Sequence, residues 1–320
     1  MTRPAGQTGL VASAAGGPTL PVHEARALKA FVLGLEPSMP LSASLDAEQR
    51  RRYDALAARR RDGEPLQYLT GRAYFRTIEV SVRPGVFIPR PETEVMVGWA
   101  LDRLGFTQSA GSAVGGRTTE RTAADGGGKA RAMPAEIGGD TVEDGGGADA
   151  LAPVVVELCA GSGAVSLALW AETGAGLRQY AVEIDPLAWD CAQANLVGTG
   201  VDLRLGDMAD AFPELDGQAD LVIANPPYVP LSQRAMVAGD VLGREPDLAL
   251  FSGVDGLDAI RLVAEVAARL LRPGGAVCCE HAESNAEGAV DAFARRGEFG
   301  GVEDHHDLTR RPRFVTALRR

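Results

Sequence analysis

The stretch Val154-Val155-Val156-Glu157-Leu158-Cys159-Ala160-Gly161-Ser162-Gly163, followed by an apolar run over residues 164–171, leaves little choice of architecture. A short continuous apolar run reads as a strand buried on both faces, the situation of a parallel sheet. Glycines then free the backbone, and helical periodicity resumes. Strand, glycine-rich turn and helix together form the unit from which doubly wound α/β domains are built. The remainder of the chain repeats the alternation. Strands are predicted at 179–182, 202–205, 220–224, 276–280 and 313–318, and helices at 186–196, 256–271 and 286–296. Asp185 can cap the first of these helices and Pro186 can start it. The pattern predicts a mostly parallel sheet with helices on both faces, binding its ligand beyond the carboxyl ends of the strands.

The N-terminal half reads differently. Residues 1–22 lack periodicity and are expected to form a disordered tail. Ala25, Leu28, Phe31, Val32 and Leu35 have helical spacing, and residues 42–61 repeat it with Ser44 as a candidate cap. A small helical domain is therefore expected over 23–72. Residues 73–106 alternate as a hairpin and then open a helix near Glu92, which carries Val95, Met96, Trp99 and Leu104 inward. Residues 107–150 are dense in glycine and alanine and contain no aromatic residue, the composition of a low-complexity insertion. Residues 151–320 make up the main α/β domain.

Composition narrows the function classes. The net charge of −11 over 320 residues opposes a broad electrostatic grip on nucleic acid. Arg50-Arg51-Arg52 and Arg59-Arg60-Arg61 are local exceptions that read as the solvated face of a helix. Cys159, Cys191, Cys278 and Cys279 form no CxxC pair, so neither a zinc site nor a disulfide framework is suggested. His23, His281, His305 and His306 fall outside the strand-end positions and are expected to be structural. No apolar stretch reaches membrane-spanning length, and a cytoplasmic location is expected.

Acids end three successive strands and suggest the ligand. Glu157 opens the glycine-rich turn, where its charge would repel a pyrophosphate but suit a cationic amino group. Glu183 ends the next strand and can accept from both hydroxyls of a ribose. Asp207 follows the third and can accept from an adenine amino group. Residue 166, where a dinucleotide fingerprint has its third glycine, is serine. The set favours S-adenosylmethionine over a dinucleotide.

The strand at 220–224 stops at Asn225-Pro226-Pro227-Tyr228. Two prolines stiffen this loop and remove two donors. The Asn225 side-chain carbonyl and the Pro226 carbonyl are acceptors, and Tyr228 adds an aromatic face. Two acceptors and a ring suit a planar amino group whose lone pair must be turned out of conjugation toward an electrophile.

The segments Gly63-Glu64-Pro65-Leu66-Gln67-Tyr68-Leu69-Thr70-Gly71, Ile88-Pro89-Arg90-Pro91-Glu92-Thr93-Glu94 and Asn225-Pro226-Pro227-Tyr228 resemble the release-factor glutamine methyltransferases of the HemK type. Glu245-Pro246, Gly256-Leu257, Pro273-Gly274-Gly275 and Glu280-His281 add to the likeness, which extends over roughly residues 63–320 outside the insertion. The resemblance implies a Rossmann-like methyltransferase sheet behind a helical, substrate-recognising N-terminal domain. It also implies methyl transfer from S-adenosylmethionine to the side-chain nitrogen of the glutamine in the Gly-Gly-Gln motif of a peptide chain release factor. By that pattern Glu157, Cys159, Ala160, Gly161, Ser162, Gly163, Glu183 and Met208 line the cofactor, Asn225 touches cofactor and substrate, and Pro226, Pro227 and Tyr228 hold the glutamine amide. No metal is required. The family usually has Asp at 157, Gly at 159 and often an aromatic residue at 208, so this chain departs at each. Two other readings of the loop are an adenine-amino nucleic-acid methyltransferase and a cofactor-binding protein without catalysis.

Overall fold

The computed structural model describes residues 19–106, 152–237, 239 and 241–320. The disordered tail expected at 1–22 falls mostly outside these residues, and the insertion expected at 107–150 falls wholly outside them. The described residues up to Phe106 and from Pro153 onward pack as one compact unit.

Three helices come first: α1 (Val22–Leu33), α2 (Ala47–Arg61) and α3 (Leu66–Thr70). The cap of α2 is Asp46, not Ser44. Its carboxylate accepts from the Glu48 and Gln49 amides, and the Gln49 side chain accepts from the Asp46 amide in return. This reciprocal box satisfies donors that a serine two positions earlier could not reach. Helix α3 is a single turn that Pro65 opens, inside the helical domain expected over 23–72. Leu28, Val32, Leu56, Ala57 and Leu69 form the small core of these helices. The arginine runs are more engaged than a solvated face would be. Arg60 forks onto Glu24 at 2.8 and 2.9 Å, and Arg52 lies over the Phe31 ring.

A hairpin, β1 (Arg72–Phe75) with β2 (Ile78–Ser81), leads to α4 (Thr93–Arg103). The main sheet follows, built from β3 (Val154–Leu158), β4 (Arg178–Glu183), β5 (Asp202–Leu205), β6 (Ala219–Ala224), β7 (Leu271–Glu280), β8 (Phe299–His306) and β9 (Pro312–Arg319). Its seven strands run in the order β5-β4-β3-β6-β7-β9-β8. The first five are parallel, and β9 lies antiparallel to both β7 and β8. The connecting helices are α5 (Ala164–Thr173), α6 (Pro186–Asn195), α7 (Asp247–Leu250), α8 (Asp258–Leu270) and α9 (Ala286–Ala294).

Period-two alternation divides the core between the two faces. Val156, Leu158, Val222, Ala224, Val277 and Cys279 pack with Ile260, Val263 and Phe293 of α8 and α9. Val155, Leu221, Ile223, Ala276 and Cys278 pack with Met96 and Val97 of α4 and Leu169 of α5. The doubly wound expectation therefore holds, with an antiparallel end that the uniform βαβα reading did not anticipate.

Register places the strand ends in one row. Val182, Leu158, Ala224 and Cys279 are successive partners across β4, β3, β6 and β7. The next residue of each strand is Glu183, Cys159, Asn225 and Glu280. Neighbours across a parallel sheet lie about 4.8 Å apart, so a polar row follows from the pairing alone.

Arg76 pins the hairpin to this sheet. Its guanidinium forks onto Glu172 of α5 at 2.5 and 2.7 Å and donates to the Glu94 carbonyl of α4 at 2.8 Å. We expect Arg76→Ala to lower the unfolding free energy by about 1–3 kcal/mol, since a half-buried carboxylate loses its partner. A reduced urea midpoint with an unchanged denaturant slope would show it.

Candidate active site

The row of strand ends opens onto a cavity of about 520 Å³ lined by Cys159, Gly161, Glu183, Asp207, Met208, Asn225, Pro227 and Tyr228. A small chamber of about 40 Å³ shares Cys159, Gly161 and Asn225 with it and adds Glu157, Ser162 and Ala160. Every residue expected at the cofactor thus borders one of the two spaces, except Gly163. That glycine has φ 77° and caps α5, and a Cβ there would sit 3.2 Å from Ala192 and Leu196. Its role is to bring α5 against α6.

Glu157 is buried at the end of β3. Its Oε2 accepts from the Ser166 amide at 2.9 Å and from the Ser166 hydroxyl, inside the first turn of α5. Burial pushes its carboxyl up to about 8, against the Ser166 hydrogen bonds, which favour the anion. A cation in the adjoining chamber would return it to the ionised form. Glu183 is held by two backbone amides, Gly161 onto Oε2 at 2.7 Å and Asp185 onto Oε1 at 2.8 Å. Each oxygen has a further lone pair and Glu183 lines the cavity, so the carboxylate retains capacity to accept hydroxyl groups. Burial raises its carboxyl as well.

The other wall is softer. Asp207 is exposed at the rim, where its Oδ1 caps the turn at Met208–Asp210 by accepting from the Ala209 amide. Met208 lies against Cys159, sulfur to sulfur 3.8 Å apart. Cys159 adopts φ 60°, the left-handed region where a Cβ costs roughly 1 kcal/mol and glycine is free of the penalty.

The Asn225 loop is clamped from behind. The Asn285 side chain donates to the Tyr228 carbonyl at 2.8 Å. A Cβ on Gly256 would lie 2.4 Å from the same oxygen, so only glycine lets the two loops meet. In front, the Asn225 Nδ2 donates to the Thr93 hydroxyl at 3.1 Å, Thr93 donates to Glu280 Oε2 at 2.6 Å, and the Tyr228 hydroxyl donates to Glu280 Oε1 at 3.0 Å. Among the described residues no donor reaches the Asn225 Oδ1 or the Pro226 carbonyl. Burial raises the Tyr228 phenol and pushes the Glu280 carboxyl up to about 7.

Thr93, Glu280, Arg90 and Glu245 were not singled out individually from the sequence. Arg90 borders the cavity, stacks on Phe87 and donates to the buried Glu245 at 2.5 Å. All four lie in the motif segments quoted above, which was the signal available. His281 follows Glu280 but turns away, with Nε2 3.1 Å from Asp304, and burial lowers its imidazole. His305 stacks on Phe314. The four cysteines are free thiols.

This geometry can be set beside known proteins. Residues 14–71 match the PrmC N-terminal domain family. Over 303 residues, 95% of this chain and 92% of the relative, the sequence is 43% identical to a release factor glutamine methyltransferase of Streptomyces coelicolor. The chain belongs to the release factor glutamine methyltransferase family. A Mycolicibacterium smegmatis member is 36% identical over 96% of this chain and 93% of its own length. A 4-amino-L-phenylalanine/4-methylamino-L-phenylalanine methyltransferase of Streptomyces pristinaespiralis is 36% identical over 70% of this chain and 63% of its own. The family likeness thus begins well before residue 63, and takes in the N-terminal helices.

Two stability effects follow. The folded chain holds a proton on Glu157 that the unfolded chain releases, so stability falls as pH rises from about 4.5 to about 8. In Glu157→Gln this fall in melting temperature should be shallower, as thermal scans across the window would record. Cys159→Gly should raise the urea midpoint by relieving about 1 kcal/mol of backbone strain.

Proposed function

We propose that this protein transfers the methyl group of S-adenosylmethionine to the side-chain amide nitrogen of the glutamine in the Gly-Gly-Gln motif of a peptide chain release factor. The observation that carries the reading is Asn225 in the cavity lining, its Oδ1 and the carbonyl of the adjoining, buried Pro226 both without a donor among the described residues. Family membership supports the same assignment.

The donor set suits the proposed cofactor. Glu157 would hold the cationic amino group, Glu183 the ribose diol and Asp207 the adenine amino group, with Met208 as a polarisable wall, all of them lining the two spaces. When bound, S-adenosylmethionine supplies an electrophilic methyl and a neutral thioether leaving group. The protein's task is then placement. Asn225 and Pro226 accept the two amide hydrogens of the substrate and turn its nitrogen lone pair toward the cofactor side of the cavity. Both bonds strengthen as the nitrogen acquires positive charge, so they favour the transition state over the ground state. Pro227 and Tyr228 close the loop beside the amide.

The helices over 23–72 are the natural platform for the rest of the release factor. Arg244 ties the loop after β6 to the Asp62 carbonyl at 2.5 Å, and Arg90 ties it to the Ile88–Glu94 segment through Glu245. Among the described residues no helix is long and apolar enough to cross a membrane.

Labelled S-adenosylmethionine tests the assignment. We expect label to enter a release factor but not its Gln→Ala variant, and Asn225→Ala to cut turnover by roughly 100-fold or more. Label on duplex DNA in place of the release factor would select the adenine-amino reading. Cofactor binding without transfer to any acceptor would leave a binding protein.

A further inference from the structure

The Asn225 loop, the start of α4 and the end of β7 meet in one chain of hydrogen bonds: Asn225 to Thr93, Thr93 to Glu280, and Tyr228 to Glu280. The bonds span 132, 187 and 52 residues of sequence. Thr93 and Glu280 are buried, Glu280 completely, and neither borders the large cavity. A carboxylate taken out of water is costly, so its place at the end of a core strand calls for a reason.

Proton counting supplies one. An ionised carboxylate can only accept. Its two oxygens therefore draw the single protons of Thr93 and Tyr228. Having donated its proton, the Thr93 oxygen can offer only a lone pair to Asn225. The Asn225 amide must then present its NH2 to Thr93 and leave Oδ1 facing the cavity. An asparagine amide is nearly symmetric in shape, and nothing else among its described contacts distinguishes its two ends. With the ends exchanged, a donor would meet the donor groups of the substrate.

We propose that Thr93 and Glu280 are positioning residues that set the direction in which the Asn225 amide faces, the order passing from the Glu280 carboxylate through the Thr93 hydroxyl. The inference rests on the function proposed above for Asn225 and adds the device that makes it an acceptor. Protonating Glu280 would undo the order, because its new O–H could donate to Thr93 and free the Thr93 proton for Asn225 Oδ1. Among the described residues, the charged and titratable groups that act on Glu280 or feel its charge include Tyr228 from the loop, Glu92 at the start of α4, the adjoining Cys279 of β7 and Arg313 from β9, the last paired with Asp307 at 3.1 Å. Burial pushes the carboxyl up to about 7, against the Thr93 and Tyr228 hydrogen bonds and Arg313, which favour the anion.

The test compares Thr93→Val, Thr93→Ser and Glu280→Gln in the full chain, each checked for wild-type melting. We expect Thr93→Val to lower kcat roughly 10- to 100-fold with the S-adenosylmethionine KM changed by less than about twofold. Thr93→Ser keeps the hydroxyl and should stay within about threefold of wild type. An acidic limb in kcat near the Glu280 value should be lost in Glu280→Gln. A second readout does not depend on turnover. With 15N-asparagine, the side-chain NH2 signal of Asn225, assigned by its loss in Asn225→Asp, should shift as pH passes through about 7 in wild type and not in Glu280→Gln. Thr93→Val should move that signal at all pH values. Wild-type kcat in Thr93→Val, equal impairment in Thr93→Ser, or an Asn225 signal indifferent to both sites would overturn the proposal. If wild-type enzyme labels no release factor, the proposed function fails, while the NH2 signal still decides whether the amide is held.

Discussion

The parallel pairing of β6 between β3 and β7 is the constraint on which the rest depends. It is an all-or-none arrangement, because a one-residue slip would turn every buried side chain of the central strand to the opposite face. In the observed register Val222 and Ala224 meet α8 and α9 while Leu221 and Ile223 meet α4 and α5. The same register sets Cys159, Asn225 and Glu280 side by side at the carboxyl edge. Core packing thus determines the site, since the hydrophobic alternation and the polar row are the same fact seen at two places along the strands.

Burial is used differently by the acids on that edge. Glu183 has amide donors on both oxygens and lines the cavity. Glu157 has donors on one oxygen and sits against a chamber, where a positive group would complete its solvation. Glu280 has hydroxyl donors on both oxygens and does not border the large cavity. Chemically identical carboxyl groups are told apart by which donors replace the lost water.

Much of this was legible in the chain. The apolar strands, the glycine-rich turn and the prolines after Asn225 announce themselves through local chemistry, and the strand-end acids fell where the pattern put them. What was missed has physical causes. β8 reads Phe-Gly-Gly-Val-Glu-Asp-His-His, and an edge strand with glycines and only one buried side chain gives no apolar signal. The Asp46 cap outcompeted Ser44 because only Asp46 stands three residues from Gln49. Thr93 and Glu280 carry no local mark of their role, since their partners lie far away in sequence. A threonine beginning a helix and an acid ending a strand are each unremarkable until folding joins them.

That distance has a consequence for how the molecule comes into being. The Thr93–Glu280 bond closes a loop of 187 residues. Local units such as the β3–α5 turn can form early, whereas this bond must wait until β7 has joined the sheet beside β6. A nascent chain that has not yet extended to β7 holds the glycine-rich turn, Glu183 and Asn225 but no Glu280. It would therefore hold Asn225 in its loop before it has the Thr93–Glu280 bond beside it. The hydrogen-bond chain at the edge of the sheet is thus completed only late in synthesis.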